Sequence, residues 1–246
     1  MQYLASLIFS LCMIVLTIIF SLIGIILFPI PPTLHYQVMR QYAILNIYIL
    51  KYLCRIHYQV DGLDNIPAKT CIIFSKHQST WETMALQVFF PAHSFIVKLE
   101  LLWVPFFGWG LASMRPVAIN RGSGRKAIAQ LLSKGKKLLQ TGRWLVIFPE
   151  GTRVRPGQHK RYKIGGALLA AETGVPIIPV AHNAGQFWPK RGFLKRPGTV
   201  RVVIGPLIPT HGRKAEDILA EAETWIETTM TNIHTAVRPS ASDQGD

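Results

Sequence analysis

The first charged side chain in this chain is Arg40; no Lys, Arg, Asp or Glu precedes it. Inside that uncharged stretch, residues 3–30 read YLASLIFSLCMIVLTIIFSLIGIILFPI, well past the ~18 apolar residues that suggest membrane insertion. As one helix ending at Phe28 the run would be roughly 39 Å long at about 1.5 Å per residue, enough with tilt for a hydrocarbon core of ~30 Å. A cleaved signal peptide fits less well. No basic segment precedes the run, it exceeds the usual ~7–15 residues, and no A-x-A site follows. A buried core helix is a poor account of a run this long. The sequence therefore predicts a retained membrane anchor, and leaves open whether it crosses the bilayer or folds back within one leaflet.

Pro29, Pro31 and Pro32 then break the helix, because proline lacks the N–H and restrains its predecessor. A second apolar pattern follows over residues 33–56, with Leu34, Val38, Tyr42, Leu45, Ile49 and Leu53 at spacings of three and four. Arg40, Lys51 and Arg55 punctuate it, so it reads as an amphipathic helix rather than a second span. Those cations, with no acid before Asp61, place the downstream chain on the cytoplasmic face, expected to be that of the inner membrane. Residues 1–55 thus read as a two-helix membrane anchor.

The remainder suits one domain, expected over residues 56–237, with a tail at 238–246. Of the 246 residues, 49% are hydrophobic and 16% charged, which supports a sizeable core and excludes intrinsic disorder. Short buried strands are expected at 56–60, 70–75, 94–98, 117–120, 144–148, 176–181 and 200–204. Helices are expected at 80–90, 124–141, 165–173 and 213–235. Such alternation predicts an α/β sandwich with a mixed, largely parallel sheet flanked by helices. No internal repeat is present.

The formal charge is +14 and is unevenly placed. Residues 98–201 carry nineteen basic and three acidic side chains, whereas 202–246 carry three and seven. A basic centre of this kind suits an anionic ligand or surface. Cys12, Cys54 and Cys71 cannot make a disulfide framework, and no C-x-x-C pair or H-E-x-x-H motif suggests a metal. The other histidines, His35, His57, His93, His159, His182, His211 and His234, are scattered and read as structural or exposed.

Two short runs carry chemistry. After the strand at 70–75 comes Lys76-His77-Gln78-Ser79-Thr80-Trp81-Glu82. Ser79 followed three residues later by Glu82 is a capping box, with Ser79 as N-cap and Glu82 at N3. His77 lies just before that helix, on a loop able to turn its imidazole back towards Glu82, at the carboxyl end of a strand where open α/β sheets bind ligands. Spacing alone leaves both readings open, a cap and an acid–base pair. The strand at 144–148 ends in Phe148-Pro149-Glu150-Gly151-Thr152-Arg153, where Gly151 permits an unusual turn and Arg153 offers a fork for phosphate or carboxylate. Residues 101–111, LLWVPFFGWGL, suit a core or a membrane-dipping surface equally.

Together these runs resemble the 1-acyl-sn-glycerol-3-phosphate (lysophosphatidate) acyltransferases. Their N-H-x-S-x-x-D block looks like residues 76–82, with Glu82 for the usual Asp and Lys76 for the usual Asn. Their F-P-E-G-T-R block is matched unchanged, V-P-I-I-P-V is matched at 175–180, K-x-E-L at 98–101, and an apolar strand ending in Arg at Val117-Ala118-Ile119-Asn120-Arg121.

The resemblance implies a glycerolipid acyltransferase-like sandwich and transfer of a fatty acyl group from a thioester to the sn-2 hydroxyl of lysophosphatidate, giving phosphatidate. His77 would be the general base and Glu82 its partner, since a lipid hydroxyl is a poor nucleophile. No G-x-S-x-G elbow exists, so direct attack without an acyl-enzyme is expected. Ser79, Lys98, Arg121, Glu150, Gly151, Thr152 and Arg153 are the implied substrate-binding residues, with Lys98 and Arg153 on the acceptor phosphate. No cofactor or metal is expected; acyl-CoA or acyl carrier protein is the co-substrate, and the bilayer, not nucleic acid, is the other partner. Another acceptor, such as a lyso-ornithine lipid, is the near alternative. A non-catalytic anionic-lipid-binding protein is the remote one.

Overall fold

The computed structural model describes residues 1–120 and 122–235, apart from the side chains of His234 and Thr235. Arg121 and the expected tail lie outside the described residues. All seven expected strands form: β1 (Ile56–Asp61), β2 (Ile72–Ser75), β3 (His93–Lys98), β4 (Val117–Ile119), β5 (Trp144–Ile147), β6 (Ile177–His182) and β7 (Gly198–Ile204). They build one sheet in the order β1-β7-β6-β2-β5-β3-β4. The five strands from β6 to β4 are mutually parallel, β6 and β7 pair antiparallel, and β1 runs parallel to β7. The sheet is mixed and mostly parallel, as expected.

The central strands are buried on both faces, which is why they read as unbroken apolar runs. Their side chains still alternate between two cores. Ile73, Val146, Ile178 and Val180 face one, while Ile72, Phe74, Leu145, Ile147 and Ile177 face the other. The first core is covered by α1 (Gln2–Ile26), α2 (Pro32–Leu53) and α3 (Trp81–Phe89), and the second by α5 (Arg125–Gln140), α6 (Gly165–Thr173) and α8 (Ala215–Thr235). The remaining helices are α4 (Phe107–Ser113) and the short α7 (Ala184–Phe187).

The first helix ends at Ile26, two residues short of Phe28, in a turn before the prolines. It does not project from the body. Phe9 is fully buried and meets Trp188 edge to face at 5.4 Å. Ser6 Oγ accepts the Lys195 N–H at 2.9 Å, and Lys195 Nζ donates to Ser10 Oγ at 2.9 Å. Towards its other end, small residues let α4 approach closely: a Cβ on Gly110 would lie 2.6 Å from Ser21 Oγ, and one on Gly24 would lie 2.5 Å from Ser113 Oγ.

The second helix forms where the sequence predicts one. Its buried side is Tyr36, Met39, Ala43, Ile47 and Leu50, one position round from the predicted stripe, whose Leu34 and Leu45 are exposed. The predicted stripe is divided: Tyr42, Ile49 and Leu53 are partly buried against the first core, while Leu34 and Leu45 face outwards. Arg40 is not a free interfacial cation. Its guanidinium caps the end of α3, donating to the Gln87 and Val88 carbonyls at 2.7 Å each. The 101–111 segment is largely surface, with Trp103 79% exposed and Val104, Phe107 and Trp109 exposed beside it.

Candidate active site

Three parallel neighbours in the sheet, β2, β5 and β3, end side by side. Their carboxyl ends deliver the His77 loop, the 148–153 loop and Lys98 to one place, although the three lie far apart in sequence. That convergence creates the site.

The regular turns of α3 begin at Trp81, with Thr80 in the cap position, one residue later than expected. The reciprocal bonds are nonetheless those of Ser79 and Glu82. Ser79 Oγ accepts the Trp81 N–H at 3.1 Å, and Glu82 accepts the Ser79 N–H at 2.7 Å through Oε1 and 3.0 Å through Oε2. Glu82 Oε1 also accepts the Gln78 N–H at 2.9 Å and lies 2.9 Å from His77 Nδ1. The imidazole turns back because main-chain donors already hold the carboxylate where it needs to be. Burial opposes charge on Glu82, but the His182 and His77 imidazoles and the Ser79 N–H outweigh it and hold the carboxyl below its ordinary range. An ionised partner fixes the His77 proton on Nδ1, so Nε2 carries the lone pair a base requires.

His77 is held from three further directions. Its ring stacks on Phe148 with centroids 3.9 Å apart. Its main-chain N–H donates to Glu150 Oε2 at 2.7 Å, and its carbonyl accepts the Val154 N–H at 2.8 Å. Gly151 is required in that loop: its φ is +70°, and a Cβ would come within 2.8 Å of the Lys163 side chain.

His77 opens on a cavity of about 520 Å³. Its apolar wall includes Phe20 of α1, Met39 and Tyr42 of α2 and Met84 of α3, while Lys98, Thr152, Arg153 and Lys190 stand around it. Of the expected substrate-binding residues, Lys98, Gly151, Thr152 and Arg153 line this space. Ser79 and Glu150 do not. Both are fully buried behind it, where Ser79 caps a helix and Glu150 supports the His77 backbone. Here they brace the His77 loop and the start of α3 rather than line the cavity. Arg121 lies outside the described residues.

Sequence reasoning missed Lys190, whose Nζ donates to Thr152 Oγ1 at 3.2 Å and the Arg153 carbonyl at 3.1 Å. An isolated lysine gives no motif to find. It also gave Lys76 no role. That side chain is 1% exposed, with Nζ 2.9 Å from Glu150 Oε1 and 2.7 Å from Glu227 Oε1. His182 is buried, with Nε2 donating to the Lys76 carbonyl at 2.8 Å. Among the described residues, no group of three or more His, Cys, Asp or Glu is placed to hold a metal ion.

The family model described as Acyltransferase matches residues 57–183, the stretch that carries His77, Glu82, Lys98, Glu150 and Arg153. The chain belongs to the acyltransferase family. It is 44% identical over 218 residues to the 1-acyl-sn-glycerol-3-phosphate acyltransferase of Pseudomonas aeruginosa, covering 85% of each chain. It is 30% identical over 203 residues to a chloroplastic 1-acyl-sn-glycerol-3-phosphate acyltransferase of Brassica napus, covering 80% of this chain and 56% of the plant protein. The fold matches the crystal structure of the 1-acyl-sn-glycerophosphate acyltransferase PlsC from Thermotoga maritima, with TM-score 0.80 at 22% identity, over 97% of this chain and 98% of that one.

Proposed function

We propose that this acyltransferase esterifies the sn-2 hydroxyl of lysophosphatidate with the acyl group of a thioester, either acyl-CoA or acyl carrier protein, yielding phosphatidate. The observation that carries the reading is the His77–Glu82 pair at the mouth of an apolar cavity fringed by Lys98, Arg153 and Lys190. Nε2 of His77 takes the proton as the lipid hydroxyl attacks the thioester carbonyl. The ionised Glu82 stabilises the resulting imidazolium. The tetrahedral adduct then collapses, the C–S bond breaks, and the imidazolium returns its proton to the departing thiolate. The cations suit a phosphate monoester, Arg153 through its planar fork and the lysines as point charges. A basic rim serves a phosphate-bearing acceptor better than a zwitterionic ornithine lipid.

The membrane lies against α1, the exposed Leu34, Leu45, Tyr48 and Tyr52 of α2 and the apolar surface around Trp103. Among the described residues, one helix, Gln2–Ile26, is long and apolar enough to cross a bilayer. Because α1 is held against the body near both ends, by the Ser6 bond at one and by close packing on α4 and the His35–Gly24 bond at the other, immersion in one leaflet, on the cytoplasmic face of the inner membrane, is favoured over a crossing.

The test is turnover of purified protein with lysophosphatidate and each donor, beside His77→Ala. Loss of the base is expected to cost about 10²–10⁴-fold in rate while vesicle binding persists. Turnover by His77→Ala within a few-fold of the parent would remove His77 from the mechanism.

A further inference from the structure

A buried charged cluster lies behind the catalytic loop and takes no part in the chemistry above. Lys76, the residue preceding His77, extends into the protein between two carboxylates on different elements. One is Glu150, on the loop after β5, whose other oxygen accepts the His77 main-chain N–H. The other is Glu227 of α8, which also accepts the Tyr162 hydroxyl at 2.7 Å. The main chain of Lys76 is fixed too, its N–H on the Val180 carbonyl at 3.0 Å and its carbonyl on His182. The Lys76 backbone is therefore fixed to β6, and Glu150 cannot leave without releasing the His77 N–H.

We propose that Lys76 is a positioning residue, tying Glu227 of α8 to Glu150 and, through Glu150, to the main chain of His77. The inference rests on His77 being the base.

The charges that face Glu150 give the arrangement its sign. Burial raises the Glu150 carboxyl, Lys76 and the His77 N–H pull it down and Glu227 pushes it up; together they leave it pushed up to about 7. Tyr162 faces Glu227 rather than Glu150 and stays protonated, its pKa raised by burial and by both carboxylates. His182 touches the cluster only at the Lys76 carbonyl, Lys163 covers Gly151 beside it, and Glu223 is engaged by His159 at 2.7 Å. Lys76 and Glu227 thus act on Glu150 in opposite directions. Ionised Glu150 is a strong acceptor for the His77 N–H; protonated, it is a weaker one carrying an O–H that needs a partner of its own.

The experiment is the kcat–pH profile of full-length protein in detergent micelles, with lysophosphatidate and acyl-CoA, for Lys76→Met and Glu227→Gln. Each is made alone and in a Glu150→Gln background, where the amide oxygen still accepts the N–H but no longer titrates. For Lys76→Met we expect the acid limb to move up by about one to three pH units, since an adjacent cation is lost. Its kcat at pH 7 should fall by about 10–100-fold, as for a base displaced by a fraction of an ångström, with both KM values nearly unchanged. Glu227→Gln should move the limb down. In the Glu150→Gln background neither substitution should move it. A merely structural role would lower thermal stability and leave the limbs in place.

Unmoved limbs in both single variants overturn the proposal. Shifts that persist in the Glu150→Gln background also overturn it, because Lys76 would then act on His77 through space. Should Lys76→Met not fold, Glu227→Gln, on a side chain 27% exposed, decides the matter by its own limb. A His77→Ala variant that keeps its turnover would sink the base reading itself. Unmoved limbs beside an inactive His77→Ala would sink only the positioning role.

Discussion

Glu82 Oε1 lies 2.9 Å from His77 Nδ1 while the same oxygen accepts the main-chain N–H groups of Gln78 and Ser79. One atom thus caps the start of α3 and orients the imidazole. The cap and the dyad, rival readings of one short run, are two consequences of a single geometry. The longer Glu, standing where the family usually has Asp, reaches His77 from the first turn of the helix without distorting it.

Glu82→Gln separates the two jobs. The amide oxygen can keep the cap, so the cost in stability should be about 1 kcal/mol or less. It cannot supply the negative charge that stabilises the imidazolium, so kcat should fall by roughly 10²-fold or more. The check is kcat at saturating acceptor beside the thermal midpoint. Near-parental turnover in a folded variant would leave Glu82 a cap alone.

Arg153→Ala should act mainly on acceptor binding, because a phosphate contact is present in both the ground and the transition state. Its side chain lines the cavity with Lys98 and Lys190, so two cations remain and the acceptor KM should rise by about tenfold with kcat little changed. Initial-rate kinetics in lysophosphatidate at saturating donor provide the measurement. An unchanged acceptor KM would confine Arg153 to shaping the loop.

The strands were legible because each is a short run of β-branched and aromatic residues closed by Gly, Pro or a polar residue. Burial on both faces made those runs continuous. The site was legible in its two loops, where a capping box and an F-P-E-G-T-R run stand next to strands. Three things were not. The order that sets β5 between β2 and β3 is a fact of pairing, without a local signal. Lys76 and Glu227 are 151 residues apart, and a lone lysine before a histidine does not announce a buried partner. The seating of α1 depends on Ser21 and Gly24 against Gly110 and Ser113, small residues that are equally at home in a lipid-facing helix. On α2 the stripe read from sequence is likewise divided, with Tyr42, Ile49 and Leu53 against the first core and Leu34 and Leu45 outside.

His93 should govern part of the acid sensitivity. It is fully buried where α2 meets β3, with Nδ1 2.9 Å from the Pro91 carbonyl and 3.3 Å from the Tyr36 hydroxyl. Burial first, then Arg143 and Arg40, lower its pKa from 6.5 to about 4. Between those values the unfolded chain binds a proton that the folded chain refuses. His93 therefore costs nothing above pH 6.5, and stability is lost as the pH falls towards 4, by about 3 kcal/mol at most. His93→Asn keeps a donor near the Nδ1 position and cannot charge. Its thermal midpoint should fall less steeply than the parent's between pH 6.5 and 4; parallel curves would clear His93 of that role.

Removing residues 1–32 tests whether the N-terminal helix is only an anchor. From sequence alone, the loss of residues 1–32 is expected to release the protein from membranes and leave a folded body. The packing argues otherwise. Phe9 is a fully buried member of the first core, in edge-to-face contact with Trp188, and its loss alone resembles a large-to-small core substitution, costing about 3–5 kcal/mol. Lys195 would lose Ser10 and its place over the Phe9 ring. Thr17, Phe20 and Ser21 would be missing from the cavity wall, opening it to water. The truncated chain should therefore show a markedly lower thermal midpoint and little or no turnover, even in detergent with a soluble short-chain lysophosphatidate that needs no bilayer for delivery. Phe9→Ala in the full chain is the control, since it keeps the anchor and removes the core contact. It should lose much of the same stability while still sedimenting with vesicles. If the truncated chain instead keeps the parental midpoint and turns over the soluble substrate normally, α1 serves attachment alone and the cavity is complete without it.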